Sequence, residues 1–222
     1  MTTFAFDVYG TLIDTSGVTR QLALFLDELA GEFSTLWREK QLEYSFRRGL
    51  MEDYNTFAGC TADAFDYCCE RFSLELNDHQ RSELLGSYQT LPAFEDAAPS
   101  LQLLAEQGLP LWAFSNGTAD AVNGVLGHAG LLPYFKGVVS VDDVKTFKPS
   151  PKVYRHFTQC SGSDAKDCWL VSSNPFDIIG AIRYGMKTAW VQRNPDTVFD
   201  RFGVVPHLTL PSLSHLPKTL EY

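Results

Sequence analysis

"FAFDVYGTLID", residues 4–14, is an apolar run interrupted by Asp7 and then by Gly10 and Thr11. Its apolar start reads as a buried strand, and the Gly-Thr pair as the turn that ends it. An ionised carboxylate at the end of a buried strand needs a cation or hydrogen-bond donors, so Asp7 is hard to explain as plain structure.

From about residue 92 onward short apolar runs alternate with helical patterns. "LPLWAFS" (109–115), "GVVSV" (137–141), "CWLVSS" (168–173) and "KTAWVQ" (187–192) are too short for helices and rich in β-branched or aromatic residues. Gly108 and Gly130 follow helical patterns where a left-handed cap is wanted. Ser150-Pro151 and Asn174-Pro175 place a capping side chain ahead of proline at the first helical position. Strand and helix in repetition predict an α/β fold with a parallel, doubly wound sheet. Residues 15–90 break that rhythm and read as four helices near 19–33, 34–51, 63–76 and 78–91. The expected organisation is a catalytic core of 1–14 and 91–222 carrying an inserted all-helical cap of 15–90.

Ligands of an open parallel sheet bind outside the carboxyl ends of its strands. Those ends bring Asp7 and Thr11, Ser115 and Asn116, Lys148 beyond the third run, and Ser172, Ser173, Asn174 and Asp177 to one cleft. Each has a bland reading. Ser115 to Thr118 form a turn into a helix cap, Asn174 and Asp177 resemble a capping box, and Lys148 is a solvated loop lysine. A carboxylate beside a lysine stays ionised, which equips Asp7 to act as a nucleophile.

On the helix at 34–51, Lys40, Glu43 and Arg47 share one face at about 100° per residue, while Arg38 points the other way with Leu42, Phe46 and Gly49. A cation on the apolar side of its helix calls for an anion or a buried acceptor; the bland alternative is a snorkelling arginine or an internal salt bridge.

"DVYGT", "SNG", "KPSPKVY" and "SSNPFD", in this order, together with "LWREKQLEYSFR" (36–47), resemble the haloacid dehalogenase superfamily, and within it the type II L-2-haloacid dehalogenases. The resemblance implies a Rossmann-like core with a helical cap, no metal and no cofactor. Phosphatases of the superfamily carry a second Asp two residues after the nucleophile and acids on the fourth-strand loop; here Tyr9 and Asn174 stand there. A departing halide needs no proton, so the change suits carbon–halogen cleavage. By the same resemblance Asp7 attacks C2 of a 2-haloalkanoate, and water then opens the aspartyl ester. Thr11, Lys148, Tyr154, Ser172, Asn174 and Asp177 would position Asp7 or the water. Ser115 and Asn116, with backbone groups of Val8 and Tyr9, would hold the substrate carboxylate. Arg38, with Asn116, would receive the halide, and Tyr9, Leu42, Phe57 and Phe176 would form the apolar wall. Glu39 and Phe176 stand where this family usually has Gln and Trp, which bears on pocket charge and size.

A net charge of −9 and a pI near 5.0 disfavour nucleic acid or an anionic membrane surface as a general partner. The five cysteines include no CxxC pair, so neither a disulfide framework nor a zinc site is indicated, and Cys68 and Cys69 read as facing a helix core. With no signal-like or membrane-spanning run, the expected location is the cytoplasm. The expected partners are a small 2-haloacid and the halide product, with a homodimer as the family's expectation. The rival readings are a magnesium-dependent phosphatase and a non-catalytic binder of a small carboxylate.

Overall fold

The computed structural model describes residues 2–219. Its sheet runs β3-β2-β1-β4-β5-β6, every neighbouring pair parallel. The strands are β1 (Thr3–Phe6), β2 (Leu111–Ser115), β3 (Gly137–Ser140), β4 (Cys168–Ser172), β5 (Lys187–Val191) and β6 (Leu208–Leu210). Both faces are covered, which is why the inner strands read as apolar runs rather than as alternations. Phe4 and Phe6 turn to one face, against Leu101 and Leu104 of α5 (Ala97–Glu106) and Val122 and Val125 of α6 (Ala119–His128). Ala5 and Leu170 turn to the other, against Val153 and Phe157 of α7 (Pro151–Ser161) and Ile178 and Ala181 of α8 (Pro175–Tyr184). The chain winds outward from β1 through β2 to β3, returns through α7 to β4, and so makes its switch point between β1 and β4. That is where a parallel sheet opens a crevice for a ligand.

Between β1 and α5 the chain inserts α1 (Ser16–Leu26), α2 (Ala30–Met51), α3 (Phe57–Phe72) and α4 (Asp78–Gly86). The buried residues of α2 are Ala30, Phe33, Trp37, Gln41 and Ser45, a stripe at spacings of three and four. Its apolar half packs in an aromatic cluster, with Trp37 at 4.9 Å from Phe65 and 5.5 Å from Tyr88, ring centre to ring centre. Such pairs contribute about 0.5–1.5 kcal/mol each beyond area burial. The stripe turns polar at Gln41, where the helix passes over the strand ends. Lys40 and Arg47 both pair with Glu43 on the opposite, outer face, as the helical phase predicts.

Several local expectations change. The first break in the inserted helices falls at residues 27–29, not at 33–34, and Asp27 takes a positive φ of 45° there. Leu22, Leu26, Ala30, Phe33 and Trp37 join one core across that break, so the periodicity does not register it. The third helix starts at Phe57 rather than 63, because the Thr56 hydroxyl caps it by accepting from Gly59 N at 3.1 Å. Neither Ser150 nor Asn174 makes a side-chain cap bond, although proline follows each. β6 is an unpredicted edge strand of three residues, and α9 (His215–Thr219) ends the described chain. All five cysteines are free; Cys68 is buried and Cys69 half-buried.

Candidate active site

β1 stops at Phe6 because the backbone then folds into a knot. The Val8 carbonyl accepts from the amides of Thr11, Leu12 and Ile13. Gly10, at φ +82°, makes the turn, a conformation an L side chain rarely adopts. The knot returns Thr11 to the strand end, where its hydroxyl donates to Asp7 Oδ2 at 2.8 Å. The β4 end adds Asn174 Nδ2 at 2.8 Å and Ser172 Oγ at 3.3 Å to the same oxygen. Oδ2 is therefore held by three donors. Among the described residues Oδ1 receives only Lys148 Nζ, at 3.2 Å, and is the oxygen with lone-pair capacity to spare.

Lys148 is 1% exposed, so its ammonium must be satisfied inside the protein. Its remaining two protons go to Asp177 Oδ2 at 2.7 Å and to Phe114 O at 2.8 Å. Burial works against the charged ammonium, but Asp177 and Asp7 outweigh it and hold Lys148 above the usual lysine range. Two buried acids share this one cation. Burial, opposed by Lys148 and reinforced by Asp7, pushes Asp177 up to about 6. Tyr154 Oη supports Asp177 by donating to its Oδ1 at 2.9 Å. This approach depends on Gly180, since a Cβ there would collide with Tyr154 Oη.

The lysine also opens the sheet. In the β1–β2 register Phe4 N donates to Pro110 O, which puts Phe114 O next in line for Val8 N–H. Lys148 occupies that carbonyl instead. Among the described residues, the Val8 and Tyr9 amides donate to no protein acceptor. Ser115 Oγ accepts from Gly117 N at 3.1 Å and keeps its proton, and Asn116 Oδ1 accepts from Lys148 N at 3.0 Å and leaves its amide nitrogen with no partner among the described residues. These donors suit a carboxylate.

Arg38 enters from α2. Its Nη1 donates to Gln41 Oε1 at 2.6 Å and its Nη2 reaches Asn174 Oδ1 at 3.4 Å, but it forms no ion pair with a described carboxylate. Burial lowers it, with Tyr88 and Asp7 opposing, yet a guanidinium remains charged. It borders a cavity of about 620 Å³, together with Tyr9, Gln41, Phe57, Thr61, Tyr88 and Gly117. Burial and Tyr88 push the Tyr9 hydroxyl up to about 12, so it is neutral. Asp7, Ser115, Asn116, Asn174, Leu42 and Phe176 are not among the cavity's lining residues: Leu42 packs on the core cluster that holds Phe57, and Phe176 meets Phe46 ring to ring at 5.2 Å. Arg38 meets Asn174, where the resemblance pairs it with Asn116. Glu39 is exposed in an outer groove with Arg71 and Phe72, so it puts no charge in the cavity.

Asn174 is not a capping residue, since its side chain serves Asp7 and Arg38 instead. Sequence reasoning missed Gln41, Thr61, Tyr88 and Gly180. Gln41 lies within about 60° of Arg38 on the helix, a signal that was available; the other three come from other elements. Among the described residues no three His, Cys, Asp or Glu side chains group as metal ligands.

The haloacid dehalogenase-like hydrolase family model matches residues 1–185. The chain belongs to this family. Within the family, an (S)-2-haloacid dehalogenase of Pseudomonas sp. (strain YL) is 37% identical over 217 residues, 98% of this chain and 93% of that protein. The haloacetate dehalogenase H-2 of Moraxella sp. (strain B) is 33% identical over 207 residues, 93% of this chain and 92% of its own. The L-2-haloacid dehalogenase of Xanthobacter autotrophicus, solved with chloropropionic acid covalently bound, superposes with a TM-score of 0.92 at 28% identity. It covers 99% of this chain and 98% of its own.

Proposed function

We propose that this hydrolase is an (S)-2-haloacid dehalogenase, which removes halide from short 2-haloalkanoic acids and yields (R)-2-hydroxy acids. The observation that carries the reading is the unequal holding of Asp7: Oδ2 is tied by three donors and Oδ1 by one, at a strand end reached by Arg38, which has no ion-pair partner among the described residues. The substrate carboxylate sits on the free Val8 and Tyr9 amides, Ser115 and Asn116. Asp7 Oδ1 attacks C2 from the side opposite the halogen, the C–O bond forms as the carbon–halogen bond breaks, and the bonding pair leaves with the halide toward Arg38. A donor aimed where negative charge grows stabilises the transition state more than the neutral halogen of the substrate. Water then attacks Cγ of Asp7 and the Cγ–Oδ1 bond to the substrate breaks; one water proton passes to Asp177 and on to the departing 2-hydroxyl oxygen, and the other is released as the Asp7 carboxylate re-forms. Asp177, at about 6, is ionised at neutral pH and still able to hold a proton.

Residues 15–90 act in this reading as a cap, supplying Arg38 and Phe57, over a core of 1–14 and 91–222 that supplies the nucleophile. Cytoplasmic location enters the proposal as the sequence's expectation and a homodimer as the family's; no helix of the described residues is long and apolar enough to cross a membrane. The phosphatase reading lacks support, since Tyr9 offers a neutral phenol where a leaving alkoxide would want an acid.

The experiment is a single turnover of each 2-chloropropionate enantiomer in ¹⁸O-water, with EDTA present. The (S) enantiomer should release chloride and leave the label in Asp7. Label directly in the hydroxy acid, or release only with added Mg²⁺, would refute the mechanism.

A further inference from the structure

Gln41 is a primary amide 1% exposed, and each of its polar ends has a partner. Oε1 accepts from Arg38 Nη1 at 2.6 Å, and Nε2 donates to Thr61 Oγ1 at 2.5 Å. Thr61 gives its own proton to Phe57 O at 2.8 Å, so toward Gln41 its oxygen can only accept. That fixes the direction of the relay. With nitrogen turned to Thr61, the amide must present oxygen to Arg38, and a flip would set donor against donor at one end and leave the Thr61 oxygen facing a carbonyl at the other. The α3 turn beneath is held in its turn by Trp37 Nε1, which donates to Thr61 O at 2.8 Å. Arg38's contact with the core, at 3.4 Å to Asn174, is much longer.

We infer that Gln41, seated on Thr61, is the positioning residue that aims Arg38 at the departing halide. The inference rests on the dehalogenase reading and deepens it. Arginine carries four rotatable side-chain torsions, and an aimed guanidinium must give most of that freedom up before the reaction if it is to stabilise the transition state without reorganising. Gln41 sits one turn along the same helix, so it holds Arg38 within one rigid element. Its action on the substrate is indirect, through Arg38.

The test separates aiming from mere support by changing the leaving group. Chloride is the poorer leaving group and leans more on Arg38 than bromide does. Single-turnover rates and KM for (S)-2-chloropropionate and (S)-2-bromopropionate are compared in wild type, Gln41→Met, Thr61→Val and Thr61→Ser. Gln41→Met should slow the chloride reaction about tenfold, part of the roughly 10²–10³ that follows loss of an oriented donor, with bromide slowed less and KM little changed. The bromide-to-chloride rate ratio therefore rises. Thr61→Val should move the ratio the same way, and Thr61→Ser, which keeps the hydroxyl, should restore it. Should Gln41→Met fail to fold, the Thr61 pair carries the test. Equal slowing of both halides, or a raised KM at unchanged rate, would overturn the inference. No halide release by the wild type would instead remove the dehalogenase reading beneath it.

Discussion

Replacing Lys148 by methionine keeps the volume of a long unbranched chain and removes one charge from a place where it serves two. Asp7 and Asp177, 7% and 0% exposed, would then face each other without a cation. Breaking a buried pair by removing one partner costs about 3–5 kcal/mol, most of it the uncompensated charge that stays behind. The penalty is tied to pH, with a definite sign. Burial already holds Asp177 at about 6 in the presence of Lys148, and losing the lysine moves it further up. Between its ordinary value near 3.9 and that raised value, the folded chain holds a proton that the unfolded chain has released. Stability then falls as pH rises, by about 1.4 kcal/mol per pH unit. Lys148→Met should therefore be severely destabilised relative to wild type at about pH 8 and recover much of the difference at about pH 5, where Asp177 takes up its proton. Urea unfolding of both proteins across this range measures the difference directly. A deficit that is the same at both ends would show that Asp177 does not depend on Lys148 for its charge, and the reasoning would fail. Turnover should be lost at every pH, because the fixed positive charge beside Asp7 is gone.

The same titration predicts an acid limb in kcat near pH 6, since protonating Asp177 removes one of the two carboxylates that hold Lys148. A kcat that stays flat down to about pH 5 would contradict it. Gly180→Ala should cost about 1–3 kcal/mol in a thermal or urea melt by driving Tyr154 Oη off Asp177, and should lower kcat with it. Adding Tyr154→Phe to Gly180→Ala should not return stability, because the new methyl would still lie 2.7 Å from Pro149 Cβ and 2.8 Å from the residue-154 ring; full recovery in the same melt would refute this packing argument.

Legibility followed the range of the interaction. The strand runs are visible because a sheet covered on both faces demands apolar residues at every position, and "GVVSV" and "CWLVSS" meet that demand within one residue of the observed strands. β6 is invisible because a three-residue edge strand, of which only Leu210 is buried, needs no special composition. The break between α1 and α2 leaves no periodic trace, since both helices bury one continuous stripe. In the site, Asp7 stands out as a charge at a buried strand end, whereas Lys148, in the loop beyond β3, also reads as a solvated lysine. Asn174 was ambiguous by itself: a side chain ahead of Pro175 caps a helix by accepting from its first amides, but here its oxygen accepts from Arg38 and its nitrogen donates to Asp7, 167 residues away.

The sequence by itself determines the α/β order, the carboxyl-end cluster of Asp7, Ser115, Lys148 and Asp177, and a charged residue on the wrong face of α2, all of which follow from local pattern and from the rule that parallel strands end on one side. Only the tertiary structure decides that one ammonium is shared by two carboxylates, that Asp7 Oδ2 takes three donors while Oδ1 takes one, and that Gln41 rather than an acid meets Arg38. The reason is that hydrogen bonds are directional and short-ranged. Sequence pattern places residues on a face or at a strand end to within a turn, whereas the chemistry depends on which lone pair meets which proton within about 3 Å, and that is set where distant elements pack.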